Sequence, residues 1–383
     1  MSPLGKKLMP NGFKKRPQAF GVWQWWNYCC GQIPEGKTVL KINMDETSIC
    51  LFQGDQKGNV FLSKKRKAGA QPSQRVPRSK RRCCLTHVAF MCDRADLQHL
   101  LPQVIIGNES TFPARAMARL RSLCHPNVFL VRQKSAWNDS SLCALIVRWL
   151  ALALRPHLAH LQPVLLFDAA KIHIAPNVLV ACNAVGIWPL LVPAKTTWLL
   201  QPLDTHAFLA FKACLRSLYQ QARIRAATGD LNLDQFLSCL CDAIRLVLQG
   251  RCWSGAFEDN GFEREQARVS GRVKRQLEQE SADPFQVAKS RPTEGQLQCC
   301  FPKRTRIPTA TLWKLFDRPA VGSASSSSAS ARPSALGLAV GAVDARLGRT
   351  RSEHRRAQAV IAQASGPVLA RGSRLPAALA RRR

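Results

Sequence analysis

Residues 163–168 read PVLLFD, an uninterrupted apolar run that ends in one carboxylate. A short run of this kind is typical of a strand that is buried on both faces of a sheet. Its last residue, Asp168, would then lie at the carboxyl end of the strand, which is where open α/β sheets present their ligands. We therefore predict a central strand here and a functional role for Asp168.

The residues before this strand predict an antiparallel meander followed by a helix. Three extended segments, VLKINMDETSICLF, GNVFLS and RCCLTHVAFMC, lie between Thr38 and Cys92 and are separated by glycines and a basic loop. From about Asn138 to Leu154, apolar residues recur at helical spacing. The candidate caps for the start of that helix are Asn138, Asp139 and Ser140.

The residues after the central strand alternate between helix and strand. We predict helices at about Ala175–Ala184 and Leu203–Tyr219, a short strand at IWPLLV between them, and a further helix in LDQFLSCLCDAIRLVLQ. Trp198 and Trp253 are assigned to the core. This order indicates an α/β fold in which helices flank a mixed sheet.

Composition divides the chain into four parts. Residues 1–37 are a basic lead-in segment, residues 38–265 form the folded domain, and residues 266–317 are a poorly defined linker. Residues 318–383 contain 12 arginines, two acidic residues and no lysine or aromatic residue. Because a tail of this composition cannot bury enough apolar surface to offset its ordering entropy, we expect it to be disordered.

The charge balance indicates a polyanionic partner. The chain has 56 basic and 24 acidic residues, a formal net charge of +32, and such an excess favours nucleic acid. A membrane is the alternative, but the longest apolar run, Ser141–Leu154, is too short to span a bilayer and contains Arg148. The N-terminus lacks the apolar stretch of a secretory signal, so we expect the protein to stay inside the cell.

The 15 cysteines include no C-x-x-C motif and are odd in number, which indicates reduced thiols and not a disulfide framework. Cys83, Cys84, His87 and Cys92 form one local cluster of residue types that bind zinc. Because they lie in an apolar run that predicts a strand, we interpret them as strand residues.

Two further aspartates accompany Asp168. Asp45 lies within an apolar strand, where a carboxylate is unfavourable unless a positive group meets it. Asp204 follows QPL, and the residues between it and Asp168 suffice for a helix, a strand and a return to the same sheet edge. Each aspartate alone also fits a cap, a turn or a salt bridge. Together they offer hard oxygen ligands for two Mg²⁺ or Mn²⁺ ions, which can support phosphoryl transfer.

Several ordered segments carry a family resemblance. NMDETSI, LLFDAAKIH, PAKTTWLLQPLD followed by FLAFK, and WSGAFEDNGF resemble the sequence blocks of the DDE superfamily of endonucleases and transposases, in particular its pogo, Tigger and jerky-like branch. KSAWNDSSLCALIVRWL and LTHVAFMCDRADLQHLLPQVIIG are similar to two further blocks. The resemblance extends from about Val39 to Phe262, and TTWLLQPLDTHAFLAFK is its most specific part.

The resemblance implies a ribonuclease-H-like catalytic domain that cuts and joins DNA. It implies that Asp45, Asp168 and Asp204 are the catalytic acids and ligands of two Mg²⁺ or Mn²⁺ ions, with His173 and Lys212 as accessory residues. The implied reaction is hydrolysis of one phosphodiester followed by attack of a 3′ hydroxyl on another. His173 also fits a purely structural role. Assembly into a homo-oligomer is left open.

Two departures from the family pattern favour an alternative. Ala169 stands where relatives usually have Asn, and the catalytic strand begins near residue 39, which leaves little room before it for the helix-turn-helix region of the family. The alternative is a domesticated or decayed nucleic-acid-binding protein that keeps the fold without catalysis. An RNA-directed nuclease on the same fold is a third hypothesis.

A basic segment, KKRKAGAQPSQRVPRSKRR, extends from Lys64 to Arg82. Its two clusters resemble a bipartite nuclear localisation signal and predict a location in the nucleus, whereas a phosphate-binding loop and a solvated loop are the alternatives. The residues of the two clusters are Lys64, Lys65, Arg66, Lys67, Lys80, Arg81 and Arg82.

Overall fold

The computed structural model describes residues 12–50, 84–193, 196–226, 231–263, 271–276 and 287–300. All of them lie in the first of the chain's two units, residues 1–321. The predicted nuclear signal, the segment GNVFLS, Cys83 and the tail at 318–383 lie outside the described residues. None of the described helices is long and apolar enough to cross a membrane.

The described strands form one six-stranded sheet. They are β1 (Thr38–Cys50), β2 (Cys84–Cys92), β3 (Gln103–Asn108), β4 (Val128–Gln133), β5 (Leu161–Asp168) and β6 (Trp188–Val192). In the order β4-β3-β2-β1-β5-β6, the pairs β1–β2 and β2–β3 are antiparallel and the other pairs are parallel. This is a ribonuclease-H-like arrangement with an additional edge strand, and the predicted mixed α/β fold is confirmed.

The central strand corresponds to PVLLFD. β5 lies between β1 and β6, and its residues Leu161–Phe167 are all buried, as the apolar run predicts. β4 is absent from the sequence prediction, and β3 enters it only through the family resemblance. A six-residue apolar run cannot be distinguished from a buried piece of helix by its periodicity, which explains both omissions.

Helices surround the sheet. They are α1 (Gly12–Gly31), α2 (Ala95–Gln98), α3 (Met117–Ser122), α4 (Ser140–Leu154), α5 (Pro176–Ala184), α6 (Thr197–Leu200), α7 (Phe208–Arg225), α8 (Leu233–Ala243), α9 (Ser254–Asp259), α10 (Gly271–Gln276) and α11 (Glu294–Cys300). A π-helical turn, Leu203–Ala207, precedes α7, and a second one, Ile244–Gln249, follows α8. The predicted helices at 138–154 and 175–184 correspond to α4 and α5, and the one at 203–219 to the first π turn with α7.

One of the three candidate caps begins α4. The carboxylate of Asp139 accepts hydrogen bonds from the backbone amides of Ser141 and Leu142, both at 2.9 Å. These bonds satisfy two of the amides that have no partner inside the helix, which stabilises its first turn. Asn138 instead donates its side-chain amide to Glu46 and is described with the site below.

Helix α1 lies within the segment that the sequence predicts as a lead-in, and it packs into the core. Every residue from Gly21 to Asn27 is buried, and the three tryptophans of this stretch are fully so: Trp23, Trp25 and Trp26. Because buried residues surround the helix instead of forming one stripe, the sequence contains no amphipathic pattern by which to detect it.

The tryptophans of α1 are held by the end of the WSGAFEDNGF block. The indole N–H of Trp23 donates to the Asn260 carbonyl at 3.0 Å, and that of Trp26 donates to the Glu263 carbonyl at 2.8 Å. Gly261 lies between these acceptors with a φ of +85°, and a Cβ there would lie 2.6 Å from Trp23 Nε1. Glycine is therefore required at this position by both backbone conformation and space.

One core assignment is wrong. Trp253 is buried and donates its indole N–H to the Leu248 carbonyl at 3.1 Å, as a core residue should. Trp198, in contrast, is 40% exposed. It lies in α6, which is only four residues long, so helical periodicity provided no basis for orienting it.

The strand interpretation of the cysteine and histidine cluster is confirmed for its described members, since Cys84, His87 and Cys92 all lie in β2. His87 is fully buried, and its Nε2 lies 3.0 Å from Gln103 Oε1. Burial lowers the pKa of His87 to about 4, although the bond to Gln103 opposes the shift. The side chain is therefore a neutral core group.

We expect Gly261→Ala to destabilise the fold by about 2–4 kcal/mol, the sum of left-handed backbone strain and overpacking against Trp23. Two glycines serve as controls. Gly186 has a φ of +72° with nothing within 4 Å, so Gly186→Ala should show the strain alone, and Gly255 has neither feature. Urea unfolding gives the free energy of unfolding of these two variants and of Gly255→Ala. Equal losses of stability in Gly261→Ala and Gly186→Ala would mean that the Trp23 contact does not constrain position 261.

We expect stability to fall as the pH drops from 6.5 towards 4. His87 has a folded-state pKa of about 4 against an ordinary value of 6.5, so the unfolded chain binds an additional proton in this window. The free energy of unfolding falls by roughly 3 kcal/mol across this window, at about 1.4 kcal/mol per pH unit, and His87 causes no such loss above its ordinary pKa. Unfolding curves measured across this pH range should show that the free energy of unfolding of His87→Asn depends less on pH than that of the parent. Identical pH dependences would contradict the low pKa of His87.

Candidate active site

Asp45 and Asp168 lie at equivalent register positions on the adjacent strands β1 and β5. In the parallel pairing of β1 with β5, Asn43 is opposite Leu166, and each aspartate follows two residues later. Because side chains alternate along a strand, the two carboxylates face the same side of the sheet, on strands about 4.8 Å apart. The local alternation of β1 and β5 thus brings the first two predicted acids to one sheet edge.

The third acid is brought to this edge by Asn43. This side chain is fully buried, donates from Nδ2 to the Leu166 carbonyl at 3.0 Å, and accepts at Oδ1 from the backbone amide of Leu203 at 2.8 Å. Asp204 follows Leu203 directly, in the π-helical turn, and its side chain is exposed. One buried amide therefore ties the QPLD segment to the strands that carry Asp45 and Asp168.

The three carboxylates interact electrostatically. Burial raises the pKa of Asp45 well above its ordinary value, and the negative charges of Asp204 and then Asp168 raise it further. The backbone amide of Glu46, which donates to Asp45 Oδ1 at 2.7 Å, and the charge of His173 oppose the shift. Like charges that interact in a partly buried site are unfavourable unless a cation compensates them.

His173 links two carboxylates. The imidazole is buried, its Nδ1 lies 2.6 Å from Asp168 Oδ1, and its Nε2 lies 3.3 Å from Glu46 Oε1. Burial alone would lower the pKa of His173, but the bonds to Asp168 and Glu46 raise it to about 10. The protonated ring donates from both nitrogens and places one positive charge beside the aspartates.

Glu46 and Asn138 are site residues that the sequence reasoning missed. Glu46 accepts a hydrogen bond from Asn138 Nδ2 at 2.6 Å in addition to its contact with His173. The available signal was a second carboxylate directly after Asp45 at the end of an apolar strand segment. Asn138, considered as a helix cap, instead anchors the start of the α4 region to β1.

The aspartate carboxylates are oxygen ligands of the kind that bind cations, but they do not form a complete set of metal ligands. Oδ1 of Asp45 and of Asp168 accepts local hydrogen bonds, and the described residues make none to either Oδ2. Within the described ranges, no group of three or more His, Cys, Asp or Glu side chains is arranged to hold a metal ion. Burial first, and then the charges of Asp204 and Asp168, raise the pKa of Asp45, and a divalent cation would oppose both effects.

Lys212 lies apart from this cluster. It belongs to α7, and its ammonium group is 5.8 Å from the centroid of the Phe208 ring. The described residues show no contact between Lys212 and the three aspartates. The other predicted basic residues, Lys64–Lys67 and Lys80–Arg82, lie outside the described residues.

A family model matches the middle of the chain. Residues 85–256 match the family model of the DDE superfamily endonucleases. These residues are therefore similar to the DDE superfamily endonucleases, and the predicted resemblance is confirmed at the level of the superfamily. The match contains Asp168 and Asp204 and begins after Asp45. The pogo, Tigger and jerky-like branch stays a prediction, and no curated protein matches the chain.

Solved structures with some likeness to the chain come from the Mos1 transposase. A paired-end complex with the left transposon end has 14% identity and a TM-score of 0.34, and the match covers 65% of this chain and 64% of that chain. A mariner paired-end complex with Mn has 14% identity and a TM-score of 0.32, with coverages of 65% and 63%. A strand transfer complex has 11% identity and a TM-score of 0.34, with coverages of 65% and 62%. The likeness spans less than two thirds of each Mos1 chain.

We expect Glu46→Gln to lower the pKa of His173 in the metal-free protein. The substitution removes one of the two carboxylates that raise this pKa, so the value should fall from about 10 but stay above the ordinary 6.5 because Asp168 remains. An NMR titration of the imidazole measures the shift. Glu109→Gln, which changes an exposed carboxylate paired with Arg132, is the control and should leave the titration unchanged. An unchanged titration in Glu46→Gln would remove Glu46 from the site.

Proposed function

We propose that this protein is a metal-dependent DNA endonuclease of the transposase type, which cuts and rejoins phosphodiester bonds. The observation that carries the proposal is the group of three aspartates at one sheet edge, in which Asp204 and Asp168 both raise the pKa of Asp45. The formal net charge of +32 supports a polyanionic substrate, and DNA is the polyanion on which the named Mos1 complexes are assembled.

Asp45, Asp168 and Asp204 are the residues that would hold the Mg²⁺ or Mn²⁺ ions. The ions supply activation of the attacking oxygen and stabilisation of the leaving oxygen. His173 fixes the orientation of Asp168 by holding its Oδ1 at 2.6 Å, which leaves Oδ2 directed away from that bond. Asn43 keeps the segment of Asp204 at the same edge through its bond to Leu203.

The reaction has two stages of the same kind. In hydrolysis, the oxygen of water becomes bonded to phosphorus and the bond to the 3′ oxygen breaks, which leaves a 3′ hydroxyl and a 5′ phosphate. In joining, a 3′ hydroxyl attacks a phosphodiester of the target, so one phosphodiester forms as another breaks. Both are in-line displacements at phosphorus, for which positioning and charge neutralisation provide most of the catalysis.

Retention of the fold without catalysis is the second candidate function. Ala169 is buried beside Asp168, and its methyl group provides no polar atom at the position where the family resemblance implies Asn. Its backbone amide is still occupied, since it donates to the Val192 carbonyl at 2.8 Å. A protein of this kind would bind DNA but leave it intact, with or without metal.

The proposed place of action is the nucleus. The two basic clusters at Lys64–Lys67 and Lys80–Arg82 support it by their sequence alone. Fluorescence microscopy of a tagged chain, with glutamine at all seven basic positions as the variant, tests this part of the proposal. A variant that still concentrates in the nucleus would contradict the signal.

We expect the parent protein to nick supercoiled plasmid in Mg²⁺ or Mn²⁺ and to stop when EDTA is added. Asp45→Asn, Asp168→Asn and Asp204→Asn should each lower the nicking rate by at least about 100-fold, because each removes a ligand of ions that stabilise the transition state by several kcal/mol. The nicked fraction is measured on agarose gels at several times.

Asp96→Asn is the matched control for these variants. Asp96 is exposed and paired with Arg94 at 2.7 Å, so its loss should change neither stability nor nicking appreciably. Equal nicking by the parent and Asp168→Asn would exclude the catalytic proposal. DNA binding without any nicking by the parent would favour the second candidate function.

A further inference from the structure

Two cysteine thiols lie side by side where β1 ends and β2 begins. Cys50 is the last residue of β1, Cys84 is the first residue of β2, and the antiparallel register places them directly opposite each other. Both are free thiols, and their Sγ atoms are 3.7 Å apart. Opposite residues of an antiparallel pair have Cα atoms about 4.5–5.5 Å apart, which is within the range that a disulfide bridges. Side-chain rotation can therefore join this pair with little movement of the backbone.

Small molecules can reach both thiols. Cys50 is exposed and Cys84 is half-buried. Cys84 also lines a cleft of about 320 Å³ together with Ser48 and Thr86. These two residues form the neighbouring cross-strand pair of β1 and β2 on the same face. An oxidant thus has access to Cys50 from solvent and to Cys84 from the cleft.

The two thiols have different environments. Burial, and then the hydrogen bond and charge interaction with Cys50, raise the pKa of Cys84, while a hydrogen bond from Ser48 opposes this shift. A raised pKa lowers the fraction of thiolate, which is the form that reacts. The exposed Cys50 is therefore the thiol that an oxidant meets first, and Cys84 is the neighbour that can complete a disulfide. Cysteines that sense oxidants are typically accessible and next to such a resolving thiol.

We propose that Cys50 and Cys84 form a reversible thiol–disulfide site that reacts with hydroperoxides. In the first step, the Cys50 thiolate attacks one oxygen of hydrogen peroxide, so an S–O bond forms and the O–O bond breaks. The hydroxide that leaves takes the proton of the Cys50 thiol and becomes water. A sulfenic acid remains on Cys50.

In the second step, the Cys84 thiolate attacks the sulfur of this sulfenic acid. The S–S bond forms, the S–O bond breaks, and the hydroxide that leaves takes the proton of the Cys84 thiol and becomes a second water. The two sulfurs together lose two electrons, and the peroxide gains two. A small dithiol restores both thiols by exchange. Because thiols inside a cell are normally kept reduced, the disulfide would be transient there.

The disulfide would also constrain the chain. Cys50 and Cys84 are separated by 34 positions in the sequence, so a bond between them closes a long loop in the unfolded protein and lowers its conformational entropy. The oxidised protein should therefore be more stable than the reduced one. Neither thiol belongs to the aspartate site, so the inference does not depend on the proposed function.

Peptide mapping tests the bond in the full chain. The protein is treated with hydrogen peroxide, its remaining thiols are alkylated, and it is digested with trypsin without reduction. Peptide 42–57 contains Cys50 as its only cysteine, and peptide 83–94 contains Cys83, Cys84 and Cys92. Mass spectrometry should find these two peptides joined, two hydrogen atoms lighter than their sum, and separate again after dithiothreitol. Fragmentation of the joined peptides should place the bond at Cys84, and this assignment needs no variant.

Three variants make the result specific. Cys84→Ser should abolish the joined peptides and leave a sulfenic acid on Cys50, which dimedone traps as a stable adduct. Cys83→Ser should leave the joined peptides unchanged. Cys252→Ser is the matched control, because Cys252 is also exposed but its Sγ lies 3.4 Å from Ser254 Oγ. This variant should form the bond as the parent does.

Thermal unfolding provides a second measurement. The peroxide-treated parent should unfold about 5–15 °C above the dithiothreitol-treated parent, because the bond closes a long loop. Cys50→Ser should unfold at the same temperature after either treatment, and it reveals any other effect of peroxide.

Three results would overturn the inference. They are the absence of joined peptides in the oxidised parent, a bond at Cys83 or Cys92 in place of Cys84, and a covalent dimer on a non-reducing gel in place of the bond within one chain. An equal rise in unfolding temperature in Cys50→Ser would contradict it as well. Plasmid nicking by the aspartate variants tests the proposed function separately.

Discussion

The site depends on one buried amide. Asn43 is fully enclosed, bonds to the Leu166 carbonyl of the neighbouring strand, and accepts the backbone amide of Leu203. A polar side chain at this depth is unfavourable unless its hydrogen bonds are made, and here they join three segments that are far apart in sequence. This connection helps to fix the segment of Asp204 relative to β1 and β5.

Beside the hydrogen bonds of Asn43, the protein holds aspartates whose mutual repulsion opposes folding. Asp45 has its pKa raised by burial and by two other aspartates, and the charge of His173 opposes this shift. His173 is itself shared between Asp168 and Glu46. A structure that keeps carboxylates close together despite their repulsion is common where they bind cations, and this is the physical basis of the proposed chemistry.

The far side of the fold is closed by aromatic packing. Trp23 and Trp26 of α1 donate to the carbonyls of Asn260 and Glu263. Lys41 of β1 donates to the Phe262 carbonyl at 2.9 Å and pairs with Asp93 at 3.3 Å. The strand that carries Asp45 is thus fixed at its beginning by the last part of the domain. A disturbance of the α1 contacts would be transmitted to the site through β1.

The sequence by itself determined β1, β2, β5 and β6 and the aspartate that ends β5, because strand periodicity and a terminal carboxylate are local features that survive without any partner. It also limited the cap of α4 to three residues, among which the structure selects Asp139, and it carried the resemblance to the DDE superfamily, whose blocks are local as well. Tertiary structure decided the rest: the meeting of Glu46 with His173, the burial of α1 and the exposure of Trp198 and Trp137. These depend on which distant segments pair and pack together, and periodicity along one segment carries no information about the partner that it will meet.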